Sequence, residues 1–165
     1  MEVITKKYEV YDFNELSKEI QKELIEKEKQ KQNEFYINDF LFEDMQEAAK
    51  KLLQKYFKNN ETEFKNVYYD LSYCQGRGAM IEFNLYYYNK YVKIEHYGHY
   101  NHERSFIIDT WELTEKQEKQ LYNKIVSMNQ ELIKIGDDLI QYTITEDEAI
   151  DFLSESKYLK NGTIF

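Results

Sequence analysis

Apolar residues recur at helical spacing in the first third of the chain. Asn14 and Ser17 are both helix-capping residue types, and one of them is expected to begin a helix that runs to about Lys29. The charged run "EKEKQKQ" then indicates a solvated helix end or a connection. A second set steps by three and four positions, as on one helix face: Ile37, Leu41, Met45, Ala48, Leu52 and Tyr56. Its apolar neighbours widen this stripe, so we expect the second helix to pack against a sheet.

Another helical pattern follows Trp111, where Thr114 and Gln117 have the spacing of a capping box. Apolar residues then step by four and three in a heptad-like seam: Leu121, Ile125, Met128, Leu132, Ile135, Leu139 and Tyr142. Such a seam packs against a helix of the same domain or forms a homodimer, and we favour packing within the domain. Thr145 and Glu148 repeat the capping pattern before a short last helix.

The middle of the chain alternates between apolar and polar residues, which is the pattern of strands. Three alternations occupy 67–73, 79–87 and 91–97, and "RSFIID" supplies a fourth strand. The segment "KKYEVYDF" near the start also predicts a short first strand. We therefore expect an α+β fold in which an antiparallel sheet of about four strands packs against N-terminal and C-terminal helices. With 165 residues, we expect one domain over 1–165.

A tight hairpin is predicted at the dipeptide Asn89-Lys90, because Asn tolerates positive φ. This turn would pair Tyr88 with Tyr91 and would place Phe83 opposite His96 on the core face. The other face then looks solvated, with Glu82, Asn84, Lys93 and Glu95. Three tyrosines share it near the hairpin tip: Tyr86, Tyr88 and Tyr91. Tyrosine suits protein interfaces, but its strand propensity explains the enrichment equally well.

The charge balance narrows the classes of partner. The net charge is −9, and Arg77 and Arg104 are the only arginines. Proteins that bind duplex DNA through its phosphates normally present a basic face, so direct duplex binding is not expected. Acidity promotes solubility and fits attraction to a basic protein surface or mimicry of a nucleic acid. A single cysteine excludes an internal disulfide, and no apolar run is long enough to span a membrane, so we expect a cytoplasmic protein.

The three histidines lie close together in "HYGHYNHE", as His96, His99 and His102, with Glu103 beside the last. Imidazoles and a carboxylate at short spacing can bind a transition metal. On a strand, however, His96 and His102 would share one face while His99 points away. A metal site therefore stays open, and we favour a polar binding rim that needs no cofactor.

Two glycines, Gly76 and Gly78, sit between predicted strands and alternate with Gln75 and Arg77. A phosphate-binding loop is not favoured, because such loops open a helix and here a strand follows. A nucleophilic role for Cys74 is not favoured either, because the predicted facing separates it from His96. We expect a strand-to-strand loop that displays Gln75 and Arg77 as binding residues.

Taken together, four phrases resemble a widespread family of small phage and prophage proteins, usually left as hypothetical or labelled as the antitoxin of a toxin–antitoxin stability system. These phrases are "FNELSKE", "SYCQGRGA", "HYGHYNHE" and the closing "YTITEDEAIDFLSESKYLKNGTIF". The resemblance covers nearly the whole chain. It implies that positions 75–78 and 96–103 form one site. Cys74 stands where the family usually has Ser, and Arg77 stands where it usually has Asp.

The resemblance implies a phage or mobile-element origin. Our leading hypothesis is a non-enzymatic binding protein, without a cofactor, that blocks a host component in the host cytoplasm. An anti-CRISPR inhibitor or an antitoxin is such a protein, and its partner is a host or defence-system protein. The alternative is a metal-assisted hydrolase or nuclease that uses the histidine cluster.

Overall fold

The computed structural model describes residues 7–72 and 76–165. A 3₁₀ turn at Phe13–Glu15 precedes four helices, which are α1 (Lys18–Asp39), α2 (Leu41–Tyr56), α3 (Glu115–Ile140) and α4 (Glu146–Ser154). The strands are β1 (Thr62–Asp70), β2 (Gly78–Tyr87), β3 (Lys90–His96) and β4 (Phe106–Asp109). They form one antiparallel sheet in the order β1-β2-β3-β4. The predicted α+β class is therefore confirmed.

The chain divides into two compact units. One unit contains residues up to Asn38 together with Tyr142–Phe165, and the other is Asp39–Gln141. The expectation of a single domain over 1–165 stays a prediction. None of the helices in the described ranges combines the length and the apolar character that a membrane crossing requires.

The unit Asp39–Gln141 consists of the sheet with α2 and α3 packed against it. α2 contacts β1, α3 contacts β2, and the two helices contact each other. The side chains between these layers are buried, among them Met45, Leu52, Val67, Ile81, Phe83, Leu85, Val92, Ile94, Ile125 and Leu132. The helical stripe predicted to pack on a sheet does so over most of its length.

The seam along α3 packs within this unit through its first four members, Leu121, Ile125, Met128 and Leu132, which are fully buried. Gly136, a weak helix former in the same helix, lies where space is short. A Cβ on Gly136 would come within 2.8 Å of Leu71 Cδ1 and 3.2 Å of Met45 Sδ. The glycine therefore permits a close approach between α3 and its neighbours. A homodimer stays a prediction.

The β2–β3 hairpin turns one residue earlier than predicted. Its loop is Tyr88 and Asn89, whose φ angles are 50° and 60°, and Tyr87 pairs with Lys90. Positive φ at both central positions is what a type I′ hairpin turn requires, and it matches the twist of the strands.

The earlier turn corrects the predicted pairing. Phe83 pairs with Ile94 instead of with His96, and His96 pairs with Phe106 of β4. The physical reason is that the observed register sets large apolar side chains opposite one another in the core. The displacement is two residues, so the facing of Val92 and Ile94 is unchanged.

In the other unit, no strand forms over residues 7–13. Tyr11 makes a single β-bridge with Tyr158, in which each backbone N–H donates to the other residue's carbonyl at 2.8 and 2.9 Å. The extended segment ends there because Asp12 and Glu15 form a capping box that starts the 3₁₀ turn. The Tyr158 ring is fully buried beside Phe13, and its hydroxyl donates to the Leu153 carbonyl at 2.7 Å.

α1 begins after Ser17 and runs to Asp39, well past the predicted end at Lys29. The charged run is therefore part of the helix and not a connection. Glu, Lys and Gln are good helix formers, and side-chain pairs such as Lys27 with Glu23 add local support. The capping boxes predicted at Thr114 and Thr145 are confirmed at the starts of α3 and α4.

Replacing Tyr88 by Asn is expected to stabilise the protein. A tyrosine at positive φ costs about 1 kcal/mol, whereas Asn adopts that conformation readily. We expect Tyr88→Asn to raise the free energy of unfolding by about 1 kcal/mol in urea titrations. The matched substitution Asn89→Ala removes a residue suited to positive φ and should lower the free energy of unfolding. A change in the same direction for both variants would contradict this account of the turn.

Candidate functional site

The glycine segment and the histidine segment meet at the start of β2. His102 Nδ1 lies 2.9 Å from the Arg77 carbonyl oxygen, and because a carbonyl only accepts, the ring N–H donates. Gly78 faces the same segment, since a Cβ there would come within 2.6 Å of His102 Cα. Arg77, Gly78 and His102 thus lie together, and the single binding site that the family resemblance implies for the two segments stays a prediction. Gln75 and Cys74 lie outside the described residues.

A buried asparagine on α3 holds the histidine segment against β2. Asn129 is fully buried; its Oδ1 accepts from the Ile81 N–H at 3.2 Å and its Nδ2 donates to the Glu103 carbonyl at 3.0 Å. One side chain therefore links a helix, the central strand and the loop. Within the loop, Ser105 N–H donates to the His102 carbonyl at 2.9 Å. Sequence reasoning missed Asn129, although a lone polar residue beside the apolar seam of α3 is a detectable signal.

The histidines themselves do not converge. The His96 ring stacks on Tyr68 with centroids 4.3 Å apart, and its Nε2 lies 3.2 Å from the Tyr100 carbonyl oxygen. His99 is exposed. The Glu103 carboxylate pairs with Arg104 at 3.6 Å. Within 7–72 and 76–165, no three His, Cys, Asp or Glu side chains are grouped closely enough to hold a metal ion.

Arg77 is directed toward α3. Its guanidinium makes an ion pair with Asp137, and both side chains are about one-third exposed. Gly76, one residue earlier, is buried in a turn. The Arg77 guanidinium, which the sequence predicts to project from a loop as a binding group, is thus paired with a carboxylate of the same unit. Fewer of its N–H donors are therefore available to a partner.

The three predicted tyrosines lie at the opposite end of β2. Tyr86, Tyr88 and Tyr91 are 48%, 56% and 47% exposed, and the rings of Tyr86 and Tyr91 are 5.4 Å apart. At about 3.4 Å per residue, Tyr86 lies about 27 Å along β2 from Gly78. The candidate binding residues therefore form two separate groups, one at the start of β2 and one at the β2–β3 hairpin.

The outward face of the sheet carries four acidic side chains, Glu63, Glu82, Glu95 and Asp109, with Lys93 among them. Asn84 differs from the prediction of a fully solvated face, because it is only 9% exposed and donates to Glu63 at 2.9 Å. The hydrogen bonds from Lys65 and Asn84 lower the pKa of Glu63, so its carboxylate stays ionised.

Trp111 extends the tyrosine end of the sheet. It is 97% exposed and follows β4 by two residues. The last pair of the β3–β4 register is Lys93 with Asp109, so Trp111 follows two residues beyond the paired part of β4. An ion pair of 3.1 Å between Lys90 and Glu112 keeps this segment beside β3. We call the four side chains Tyr86, Tyr88, Tyr91 and Trp111 the hairpin surface.

Sequence reasoning placed Trp111 only as the boundary before α3. The available signal was that it is the one tryptophan of the chain and continues the outward alternation of Ile107 and Asp109. No protein-family model, curated protein or solved structure matched the chain in the comparisons.

Replacing Gly78 by Ala is expected to disturb the histidine segment. The added methyl group would meet backbone atoms of Asn101 and His102, which cannot rotate away as a flexible side chain could. We expect a loss of about 2 kcal/mol in the free energy of unfolding. Glu82→Ala on the same strand should change it by less than about 0.5 kcal/mol. A Gly78→Ala protein as stable as Glu82→Ala would refute the close packing.

Removing the Asn129 carboxamide should lower the free energy of unfolding more than removing an exposed carboxamide does. Asn129→Leu keeps much of the side-chain volume but leaves the Ile81 N–H and the Glu103 carbonyl without this partner. We expect destabilisation by about 2 to 4 kcal/mol in urea unfolding. Asn123→Ala, at an exposed position of α3, is the control and should be nearly neutral. Similar losses in the two variants would contradict the bridging role.

Proposed function

We propose that this protein is a non-enzymatic binding protein that attaches to another protein through the hairpin surface. The observation that carries the proposal is the nearly complete exposure of Trp111 beside three exposed tyrosines. Large apolar rings are costly to leave in water, and Trp and Tyr are the residues that most often dominate the energy of protein interfaces. A cluster of four at one end of a sheet is therefore what a docking surface requires.

Charge indicates the kind of partner. The chain carries a net charge of −9, and the outward sheet face next to the hairpin surface is rich in carboxylates. Charges of one sign attract an oppositely charged surface over about 8 to 10 Å at physiological salt and accelerate encounter. We infer that the partner presents a basic surface to this face.

The biological setting of the proposal comes from the family resemblance. It supports a phage or mobile-element protein that blocks a host component, such as an anti-CRISPR inhibitor or an antitoxin. The partner would then be a host or defence-system protein in the cytoplasm. Inhibition by occupancy needs affinity and a matching surface, and it needs no catalytic group.

The proposal is tested by capturing partners in the natural host with the tagged full chain and quantifying them by mass spectrometry. A protein recovered by the wild type should fall at least about tenfold with Trp111→Ala, because hot-spot residues contribute about 2 kcal/mol or more. Phe152→Ala removes a ring of α4 that is about half exposed, as the hairpin tyrosines are, and should leave recovery unchanged. The proposal fails if every recovered protein is retained by Trp111→Ala, or if Phe152→Ala lowers recovery to the same extent.

A further inference from the structure

A pocket of about 340 Å³ opens on the outward face beside the hairpin surface. Its walls come from the start of β1, the end of β2 and the start of β3. The residues that line it include Glu61, Glu63, Asn84, Tyr86 and Tyr91. Two carboxylates and two aromatic rings therefore surround one concave space, and none of the residues that line it is basic.

The strand register sets these groups in rows across the sheet. Glu63 pairs with Asn84, and Tyr86 pairs with Tyr91. The Tyr86 N–H donates to the Glu61 carbonyl at 2.9 Å, so Glu61 lies opposite Tyr86 and extends the second row. Directly opposed side chains on one face have Cβ atoms about 4.5 to 5.5 Å apart. A carboxylate and two tyrosine rings thus follow one another along a single row.

The backbone around Glu61 is held in place. The Asn60 side chain donates to the Tyr86 carbonyl at 2.7 Å, and the Asn60 N–H donates to the Phe57 carbonyl at 2.8 Å. These bonds tie the entry of β1 to the end of β2. The pocket is therefore formed before any partner arrives, which reduces the entropy lost on binding.

The two carboxylates differ in what they already contact. Both oxygens of Glu63 are engaged, one by Lys65 at 2.5 Å and one by Asn84 at 2.9 Å. For Glu61, no hydrogen bond or ion pair of the carboxylate exists among the described residues. Glu61 is consequently the carboxylate of this pocket that can receive a cation, because the charge of Glu63 is already paired with Lys65.

We propose that this pocket receives an arginine side chain of the partner protein. The guanidinium would pair with Glu61 and lie against the rings of Tyr86 and Tyr91, which are tilted by 58° to each other. This proposal rests on the proposed function and names the chemistry that its partner must present.

Arginine fits the pocket better than lysine does. A guanidinium is planar and weakly hydrated, it stacks on aromatic rings, and it forms two parallel hydrogen bonds to one carboxylate. An ammonium is a compact and strongly hydrated charge that loses more on leaving water. A neutral side chain of the same shape would leave the Glu61 charge uncompensated.

The test uses the tripeptide acetyl-Gly-Arg-Gly-amide as the probe, titrated into the full chain while the ring signals of Tyr86 and Tyr91 are followed by NMR. We expect saturable shifts with the arginine peptide, weaker binding with the lysine peptide and none with the citrulline peptide, which has nearly the same shape without the charge. Glu61→Gln should weaken arginine-peptide binding about tenfold. Glu95→Gln removes the same charge from the same face outside the pocket and should change binding less than twofold.

Three results of this titration overturn the proposal. One is equal binding of the citrulline and arginine peptides, because the pocket would then not recognise the charge. Another is equal weakening by Glu61→Gln and Glu95→Gln, because net charge alone would then explain the attraction. The third is lysine-peptide binding as tight as arginine-peptide binding, because the pocket would then not select a guanidinium.

Partner capture separates failure of this proposal from failure of the proposed function. If Trp111→Ala loses the partner while Glu61→Gln retains it fully, the hairpin surface binds a protein and the arginine pocket is wrong. If neither variant changes capture, the proposed function itself is wrong. Loss of the partner in both variants, together with selective arginine-peptide shifts, supports both.

Discussion

The register of β2 with its two neighbours is the constraint on which the unit Asp39–Gln141 depends. Pairing of Phe83 with Ile94 and of Val67 with Ile81 aligns the apolar side chains that α2 and α3 cover. Because side chains alternate across a strand, the same pairing decides the outward rows. One set of backbone hydrogen bonds therefore builds the core and also aligns Glu61, Tyr86 and Tyr91.

The two ends of β2 are used differently. At its start, His102 and Asn129 make hydrogen bonds to backbone atoms of the same unit, and Gly78 packs against the backbone of His102. At its end, large rings stand in solvent and a pocket remains open between carboxylates. A binding role for the histidine end stays a prediction, whereas the hairpin end exposes large rings to solvent.

Tyr88, at the hairpin tip, combines an unfavourable backbone conformation with an exposed ring. Tyr88 occupies a left-handed conformation that Asn or Gly would adopt at lower cost, and its ring is more than half exposed. A residue that lowers stability without filling the core is commonly found at functional sites, where the side chain is needed for contact. This fits the role we propose for the hairpin surface and gives no support to a purely structural role for Tyr88.

Local patterns in the sequence determined the fold class, the capping boxes at Thr114 and Thr145, the buried stripe of α2 and the facing of each strand. These features depend on residues a few positions apart. The predicted register of β2 and β3 was wrong by two residues, but the predicted facing was right because side chains alternate with a period of two. Tertiary structure alone decided the Asn129 bridge and the ion pair of Lys90 with Glu112 beside Trp111. Those depend on which distant strands pair and where a turn falls, and periodicity along one strand carries no information about its partner.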